Sequence, residues 1–421
     1  MTLSCFELGE RMLDVTEARE AVLALVEALP ALDLPLSSVH GRVLAEAIVS
    51  PLDVPPSTNA AMDGIALAWP EAPAHPAQWR RVGEVFAGRP LEACLALGEC
   101  VGITTGAPLP AGADTVIMRE QLAVEEGVGG EVRVTVEHPE RVSRGQNVRR
   151  GGEDIRLGEV ALDAGVRLGA AEMGLLASLG MNRVAVRRRP RVALFSTGDE
   201  VTAPGEPLPA AAIFDANRFS LIGLVTEHGG EVIDLGILPD DREALSMALA
   251  AASAEADLVI TSGGVSVGDA DFTREALAAQ GELGFWKIAI RPGRPLACGR
   301  LGPHGVPFLG LPGNPVAAMV TFLQFAAPLL ARLQGRAETV PPRLTAIAEH
   351  TLKSRVGRVD YLRGVYRCDA DGRLRVAGTG AQGSGILSSM VMANCLIEIT
   401  AEREVVDPGA AVSIQPLFRF P

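Results

Sequence analysis

Lysine, aromatic residues and paired cysteines are scarce in this 421-residue chain. Lys287 and Lys353 are the only lysines among 38 basic residues, and aromatic residues make up 4% of the chain. Leu, Val, Ile and Ala must therefore build the cores, which a hydrophobic content of 48% allows. The six cysteines form no CxxC pair and the six histidines do not cluster. Neither a zinc site nor a disulfide framework is predicted, and reduced thiols indicate a cytoplasmic protein.

Excess basic charge and long apolar runs are also missing. The net charge of −13 argues against nucleic-acid binding, which needs a basic face toward the phosphates. No apolar signal segment begins the chain. The most apolar stretch, residues 317–331, contains Gln324 and Pro328 and is shorter than a bilayer requires. We therefore expect a buried core helix there and no membrane-spanning segment.

Changes of pattern along the chain indicate several domains, as its length also does. An amphipathic helix is predicted over residues 14–29, with Asp14 and Glu17 as a capping box. Residues 51–145 contain short apolar runs between recurrent Pro and Gly, which favours a β-rich domain. Residues 146–188 return to helical character, and short strands and turns resume from residue 341.

Strands and helices alternate between residues 189 and 336. Strands are predicted at residues 192–196, 232–235, 258–261, 285–290 and 307–311, and helices at 218–228, 242–254, 272–279 and 315–333. This alternation favours a parallel, doubly wound sheet, whose ligands bind outside the carboxyl ends of the strands. The active site is therefore expected at that edge.

Acidic residues follow several of these strands. The carboxylates expected at the edge are Asp199, Glu200, Asp240, Asp241, Asp269 and Asp271. Like charges this close repel unless a cation neutralises them. Carboxylate oxygens suit Mg²⁺, which also bridges phosphate oxygens. We therefore expect a magnesium site here.

Glycine-rich loops and basic residues follow the same strands. Gly263 and Gly264 allow close approach to a phosphate, and Asn314 is predicted to cap the last helix with Pro315 at its first position. Fixed positive charge comes from Lys287, Arg291 and Arg294. Metal-binding acids beside phosphate-binding amides imply a phosphorylated ligand.

The segment 264–268 also matches GxSxG, the nucleophile elbow of α/β-hydrolases. Two glycines separate Ser266 from the preceding strand. No histidine later in the sequence has a clear position at the end of a predicted strand, where a catalytic histidine would be expected. A serine hydrolase is therefore disfavoured.

Six motifs stand out beyond these loops. They are NAAMDG at 59–64, TGAP at 105–108, RRGGEDI at 149–155, STGDE at 196–200, SGGVSVG at 262–268 and LPGNP at 311–315. In combination they resemble the molybdopterin molybdenumtransferase family, which includes bacterial MoeA and the gephyrin E-domain. The similarity extends over nearly the whole chain.

The resemblance implies a multidomain α/β plus β subunit in an elongated homodimer. The implied parts are a discontinuous dimerisation domain (1–50 and 146–188), a β-rich domain II (51–145), a doubly wound Mog-like α/β domain that binds molybdopterin (189–336) and a small C-terminal β-barrel domain (337–421).

The resemblance also implies the reaction and its residues. Molybdate is inserted into adenylylated molybdopterin with release of AMP, and Mg²⁺ is required. The implied catalytic residues are Asp63, Thr105, Glu200, Asp240, Asp271 and Lys287, of which Glu200, Asp240 and Asp271 hold the metal. The implied substrate-binding residues are Asp199, Ser262, Gly263, Gly264, Ser266, Arg291, Arg294, Pro312, Gly313, Asn314, Pro315 and Ser384. Asp241 is an alternative to Asp240, and Asp63 and Thr105 are expected to come from the partner subunit.

A Mog-type adenylyltransferase is the implied supplier of substrate, and cofactor-maturation proteins and molybdoenzymes are the implied recipients of product. Arg291 and Arg294 stand where the family commonly has lysine, and Ser57, Ala60 and Ile65 also depart from its pattern. These departures leave open a divergent member that uses tungstate or has reduced activity. Two other functions stay open: a molybdopterin adenylyltransferase, and a gephyrin-like dimeric scaffold.

Overall fold

A computed structural model describes residues 11–72, 77–127, 129–239, 241–263 and 281–417. The chain forms two compact units. The large unit comprises Met1–Glu46, Ala164–Gly169 and Val184–Pro421, and the small unit comprises Ala47–Asp163 and Ala170–Arg183. The helix expected at residues 272–279 lies outside the described residues, and the four-domain division stays a prediction.

The strands up to residue 187 are β1 (Met12–Leu13), β2 (Ala31–Pro35), β3 (Ile48–Val49), β4 (Asn59–Ala60), β5 (Gly64–Leu67), β6 (Gln78–Val85), β7 (Glu99–Ile103), β8 (Thr115–Met118), β9 (Leu122–Glu126), β10 (Val132–Val136), β11 (Val148–Arg149), β12 (Val160–Leu162) and β13 (Arg183–Arg187). Those that follow are β14 (Arg191–Thr197), β15 (Val201–Thr202), β16 (Ile213–Phe214), β17 (Glu231–Leu238), β18 (Leu258–Ser262), β19 (Gly281–Ile288), β20 (Ile290–Arg291), β21 (Pro295–Leu301), β22 (Val306–Leu311), β23 (Leu344–Ala348), β24 (Leu352–Lys353), β25 (Val359–Cys368), β26 (Leu374–Gly378), β27 (Cys395–Ile399), β28 (Val405–Val406) and β29 (Ala411–Pro416).

The α-helices are α1 (Val15–Leu23), α2 (Ala170–Ser178), α3 (Ala216–Glu227), α4 (Arg242–Glu255), α5 (Pro315–Thr321), α6 (Ala327–Leu333) and α7 (Leu387–Met392). The α1 helix begins as expected, because Asp14 accepts the N–H groups of Thr16 and Glu17. It ends at Leu23, six residues earlier than expected. Leu25 and Val26 are nevertheless buried with it.

A seven-stranded sheet forms the centre of the large unit, in the order β1-β19-β21-β22-β18-β14-β17. The expected strands are all present, and β17, β14, β18 and β22 run parallel. The sequence analysis missed β21, which is antiparallel to both its neighbours. The turn at residues 289–294 reverses the chain, and the residues after it, for which no element was expected, form a largely buried strand. Because β19 runs in the same direction as β22, the turn after β19 lies at the same edge of the sheet as the loop after β22.

The expected core helix at residues 315–333 is present but not regular. A π-helical segment, Phe322–Ala326, separates α5 from α6. Pro328, which has no N–H to donate to the carbonyl of Gln324, explains the interruption. The stretch has a mean hydropathy of 1.7, and 89% of it is buried inside the protein. It therefore forms part of the core.

A closed five-stranded barrel forms the end of the chain, as expected. Its strands follow the order β25-β26-β23-β29-β27, and β27 closes onto β25. The short strand β20 pairs with β25, placing Arg291 opposite Asp360 of the barrel. The turn after β19 is thereby connected to the barrel.

A six-stranded sheet, in the order β8-β5-β7-β6-β10-β9, forms the centre of the small unit. Trp69 and Trp79 stack in its core with ring centroids 5.5 Å apart. Gly64 of β5 is opposite Ile103 of β7. This register brings the residue before β5, Asp63, close to the turn that follows β7.

Candidate active site at the carboxyl edge of the sheet

The carboxyl ends of β14, β18 and β22 lie side by side. Ser196 pairs with Ser262, and Ser262 pairs with Leu311, so these three strands end level with each other. The segments that follow contain most of the described residues expected to bind substrate. The strand order and register therefore bring these residues together at one edge of the sheet.

Gly263 lies where the backbones of these segments come closest. Its N–H donates to Leu311 O at 3.1 Å, and its φ is +91°. A Cβ here would be 2.8 Å from Thr197 O, which is too close for any side chain. A glycine is therefore required where three loops meet.

Asn217, in the first turn of α3, connects two of these loops. Its Nδ2 donates to Ser262 Oγ at 2.7 Å and to the carbonyl oxygen of Gly313 at 2.7 Å. The sequence analysis missed Asn217. The signal available was a polar side chain at a helix start, directly beside the sheet edge where ligands were expected.

A buried ion pair holds the start of α3 in place. Asp215, 3% exposed, accepts from Ser196 Oγ at 3.0 Å and from Arg218 Nε at 2.8 Å. Arg218 also donates to Asp234 at 2.6 Å. Burial alone would lower the pKa of Arg218, but its hydrogen bonds to Asp215 and Asp234 outweigh burial and raise that pKa. These residues therefore stabilise the position of Asn217.

The acidic residues are only partly described. Asp199 and Glu200 lie in an exposed turn after β14, where Glu200 O accepts the N–H of Ile213 at 2.8 Å. Neither carboxylate forms an ion pair in the parts of the chain described. As exposed oxygen donors without a cationic partner, they fit the chemistry of Mg²⁺.

The remaining acidic and loop predictions have different outcomes. Asp240, Gly264, Ser266 and Asp271 lie outside the described residues, so the three-carboxylate metal site stays a prediction. Asp241, the alternative to Asp240, caps α4 by accepting the N–H of Ala244 at 2.8 Å. Among the described residues, no group of three or more His, Cys, Asp or Glu side chains could hold a metal.

A pocket of about 410 Å³ lies between the sheet edge and the barrel, and we call it the edge pocket. It is lined by Arg291, Pro292, Gly293, Pro295, Pro312, Gly313, Asn314, Ala317, Gln382, Gly383 and Ser384. Five residues expected to bind substrate thus meet here. Lys287, Arg294 and Pro315 do not line it; Lys287 is exposed on β19 and Arg294 is exposed in the turn.

Asn314 occupies the N-cap position of α5 with Pro315 next to it, but its side chain makes no capping bond. That expectation was wrong. The carbonyl oxygen of Ser384 accepts the N–H of Val316 at 3.0 Å, so the barrel satisfies an amide that a cap would otherwise bind. The Asn314 side chain is left to line the edge pocket.

A buried guanidinium lies behind the barrel wall of the edge pocket. Arg363, 1% exposed, donates to Ser389 Oγ at 3.0 Å and to the Gly383 carbonyl at 3.1 Å. Within the described residues it forms no ion pair. Burial, and to a lesser extent the charge of Arg291, lowers the pKa of Arg363 to about 10. It therefore remains a cation at neutral pH.

Asp63 and Thr105 are paired in the small unit. One oxygen of Asp63 accepts the Thr105 N–H at 2.6 Å and its hydroxyl at 2.7 Å. These bonds, the hydroxyl first, lower the pKa of Asp63. Both residues are exposed, so an ionised carboxylate is presented at the surface of this unit.

Three family models match this chain in sequence. They describe the MoeA N-terminal region (domain I and II) over residues 13–180, a probable molybdopterin binding domain over 193–332 and the MoeA C-terminal region (domain IV) over 345–417. The molybdopterin molybdenumtransferase of Haemophilus influenzae is 43% identical over 91% of this chain and 93% of that protein. The chain belongs to the MoeA family.

Other members of the MoeA family agree. The molybdopterin molybdenumtransferase of a Nostoc species is 35% identical over 91% of this chain and 88% of its own length. A crystal structure of the molybdopterin biosynthesis MoeA protein from Pyrococcus horikoshii OT3 has a TM-score of 0.82 at 30% identity. It covers 96% of this chain and 100% of that one. The multidomain α/β plus β fold expected from the sequence is confirmed.

Proposed function

We propose that this protein inserts molybdate into adenylylated molybdopterin and releases AMP, with Mg²⁺ as the required metal. The observation that carries the proposal is the edge pocket, where Arg291 and Asn314 from the sheet edge meet Ser384 of the barrel. Its size and its donors suit a small oxyanion next to a larger phosphorylated ligand. Membership of the MoeA family supports the same reaction class.

Positive charge in and behind the edge pocket supports the choice of an oxyanion. Arg291 contributes a guanidinium at the rim, and Arg363 adds a buried one behind Gly383. Arg363 is buried, where charge is screened less than at an open surface. Arg291 is half-exposed and shares the carboxylate of Asp360 with Arg358, and two guanidinium groups beside one carboxylate leave a net positive charge. The fork of guanidinium donors matches the geometry of oxyanions.

Ser262 and Gly263 would contact the phosphate of the substrate. Ser262 Oγ already accepts a hydrogen bond from Asn217, so its own hydroxyl hydrogen is available to donate. Gly263 exposes backbone that a side chain would cover. The Ser262 hydroxyl would stabilise negative charge as the phosphoester is cleaved. The Gly263 N–H already donates to Leu311 O, so Gly263 would contribute only the room for the phosphate to approach.

Mg²⁺ would be held by Glu200, with Asp240 and Asp271, and Asp199 would lie beside it. When bound, the ion would neutralise phosphate charge and orient the attacking oxygen. The carboxylates then have two functions, which are to hold the ion and to accept hydrogen bonds from ordered water. Lys287 and Arg294 would add positive charge along the phosphate.

We also propose a cytoplasmic homodimer in which Asp63 and Thr105 act in the site of the partner subunit. The substrate would come from a Mog-type adenylyltransferase, and the product would pass to cofactor-maturation proteins and molybdoenzymes. Mixing inactive Asp63→Asn and Glu200→Gln subunits tests the arrangement. A shared site predicts regained activity, because a mixed dimer has one site without either change, whereas sites within one subunit predict none.

The reaction is tested by mixing purified protein with adenylylated molybdopterin, Mg²⁺ and molybdate and measuring AMP. We expect molybdate-dependent AMP release, abolished in Glu200→Gln and retained in the control Glu206→Gln, which changes an exposed acid six residues away. Equal activity in both variants would contradict the metal assignment. Consumption of ATP with free molybdopterin would instead establish an adenylyltransferase.

A further inference from the structure

A buried network of hydrogen-bonded polar side chains connects the first helix, the long apolar helix and the barrel. We propose that Arg19 and Gln324, the first two residues of this network, are positioning residues for the edge pocket. They fix the barrel in the orientation that completes the oxyanion site. This inference rests on the proposed function, because it assigns the two residues an effect on oxyanion binding.

The connection consists of direct hydrogen bonds between buried groups. Arg19 of α1 donates through Nε to the Gln324 carbonyl at 3.1 Å and through a terminal nitrogen to Gln324 Oε1 at 3.1 Å. Gln324 Nε2 then donates to Gln415 Oε1 of the barrel at 2.7 Å. These three side chains are 5%, 0% and 3% exposed, respectively. Water is therefore unable to replace these partners easily.

The network continues from Gln415 to the carboxylate of Glu398. Gln415 Nε2 donates to Glu398 at 2.8 Å, and Arg343 binds both oxygens of Glu398 at 2.8 and 3.0 Å. Among the described residues, the Arg19 side chain is thus connected to the carboxylate of Glu398 through two amide groups. Each amide has its donor and its acceptor engaged, so removing one leaves buried polar groups unpaired.

The irregularity of the long helix makes Gln324 available for this contact. In a regular helix the N–H of residue 328 would donate to the carbonyl of residue 324, but residue 328 is proline. The Gln324 carbonyl accepts from Arg19 instead. Gln324 lies within the π-helical segment, a feature that often occurs at functional positions.

The same helix has a second connection to the barrel. The N–H of Val316 donates to the carbonyl oxygen of Ser384. Val316 and Gln324 are eight positions apart, which is roughly 12 Å along a helix at 1.5 Å per residue. Two directional attachments this far apart fix the rotation of the barrel relative to the long helix, which one attachment alone would leave free. The apolar contacts of Met390 and Leu396 do not fix it, since apolar burial is non-directional.

The edge pocket depends on that rotation. Asn314 and Ala317, at the start of the helix, form one wall, and residues 382–384 of the barrel form the other. Losing the attachment at Gln324 leaves the barrel held at its pocket end, by the Val316–Ser384 hydrogen bond and by the pairing of β20 with β25. The Ser384 wall and the buried Arg363 behind it then shift relative to Asn314 and Ala317 of the opposite wall, so affinity for an oxyanion falls although every pocket residue is still present.

The test measures binding of molybdate to the full-length protein by calorimetry, alongside the melting temperature. We expect Arg19→Met and Gln324→Met to raise the Kd for molybdate at least tenfold. Gln415→Met removes the bond to Gln324 and the bond to Glu398, which keeps its ion pair with Arg343, and it should give the same result while leaving the Arg19–Gln324 bonds intact. The matched control is Arg188→Met, which breaks the half-buried Arg188–Asp257 ion pair away from the barrel. It should lower the melting temperature without changing the Kd.

Different results would contradict different parts of this proposal. Variants that melt earlier but bind molybdate as tightly as the natural protein would reduce the network to a structural role, with the proposed function intact. A natural protein that binds no molybdate would overturn both.

Pro328→Ala offers a rescue, because it restores an N–H for the Gln324 carbonyl. In that background Arg19→Met should weaken binding less than it does alone, and an equal loss would contradict the role given to the carbonyl.

Discussion

Asn217 Nδ2 lies 2.7 Å from Ser262 Oγ and 2.7 Å from the carbonyl oxygen of Gly313. An amide nitrogen carries two hydrogens, so it satisfies both acceptors at once. Through these bonds one side chain holds the end of β18 and the loop after β22 together. The spacing between the expected phosphate loop and the edge pocket therefore depends on Asn217.

Replacing Asn217 should reduce activity more than stability. Asn217→Ala removes two hydrogen bonds at a half-buried position, a loss of about 1–3 kcal/mol. Because both loops lose their common partner, we expect kcat/KM for AMP release to fall at least tenfold. Gln78→Ala is the control, since it removes an exposed side-chain hydrogen bond in the small unit. Unchanged kinetics for Asn217→Ala would show that the loops hold their positions without it.

The buried pair of Asp215 and Arg218 should dominate the stability of this edge. Leaving either charge buried without its partner costs about 3–5 kcal/mol. Arg218→Met is therefore expected to lower the melting temperature clearly. Asp234→Asn should have a smaller effect, because the Asp234 side chain is 40% exposed. Equal effects of the two substitutions in a thermal scan would contradict this ranking.

The ionisation of Asp63 should depend on Thr105. The pKa of Asp63 is lowered by the Thr105 hydroxyl and N–H, so the stability these bonds contribute is present above the ordinary carboxyl range. It is lost as pH falls through the lowered pKa. Thr105→Val removes the hydroxyl and keeps the N–H, so the pKa of Asp63 should rise toward its usual value. Carbon-13 NMR titration of the carboxyl group measures this, and an unmoved pKa would refute the assignment.

Charge and geometry in the edge pocket can be separated by two substitutions. Arg291→Lys keeps the charge and introduces the residue common in the family, so the molybdate Kd should change by less than a few-fold. Arg363→Met removes a buried cation, and we expect the Kd to rise by tenfold or more. Isothermal calorimetry compares the two. A larger loss for Arg291→Lys would mean that the donor fork matters more than net charge.

The position of the site was predictable because it depends on strand ends, which apolar runs and glycine loops mark in the sequence. Gly263, Asn314 and Arg291 were found this way. Arg363 was not, because it lies within a barrel strand and becomes significant only where the barrel meets the sheet edge. Asn217 was missed for a similar reason, since its partners are 45 and 96 positions away in the chain. Such contacts have no local signature.

The most direct test of the account is the location of a bound oxyanion in crystals of the full-length protein soaked with tungstate, whose anomalous scattering identifies it. The account predicts an anomalous peak in the edge pocket, within hydrogen-bonding distance of Arg291 or Ser384. A peak confined to another part of the molecule, with the edge pocket empty at a saturating concentration, would contradict it.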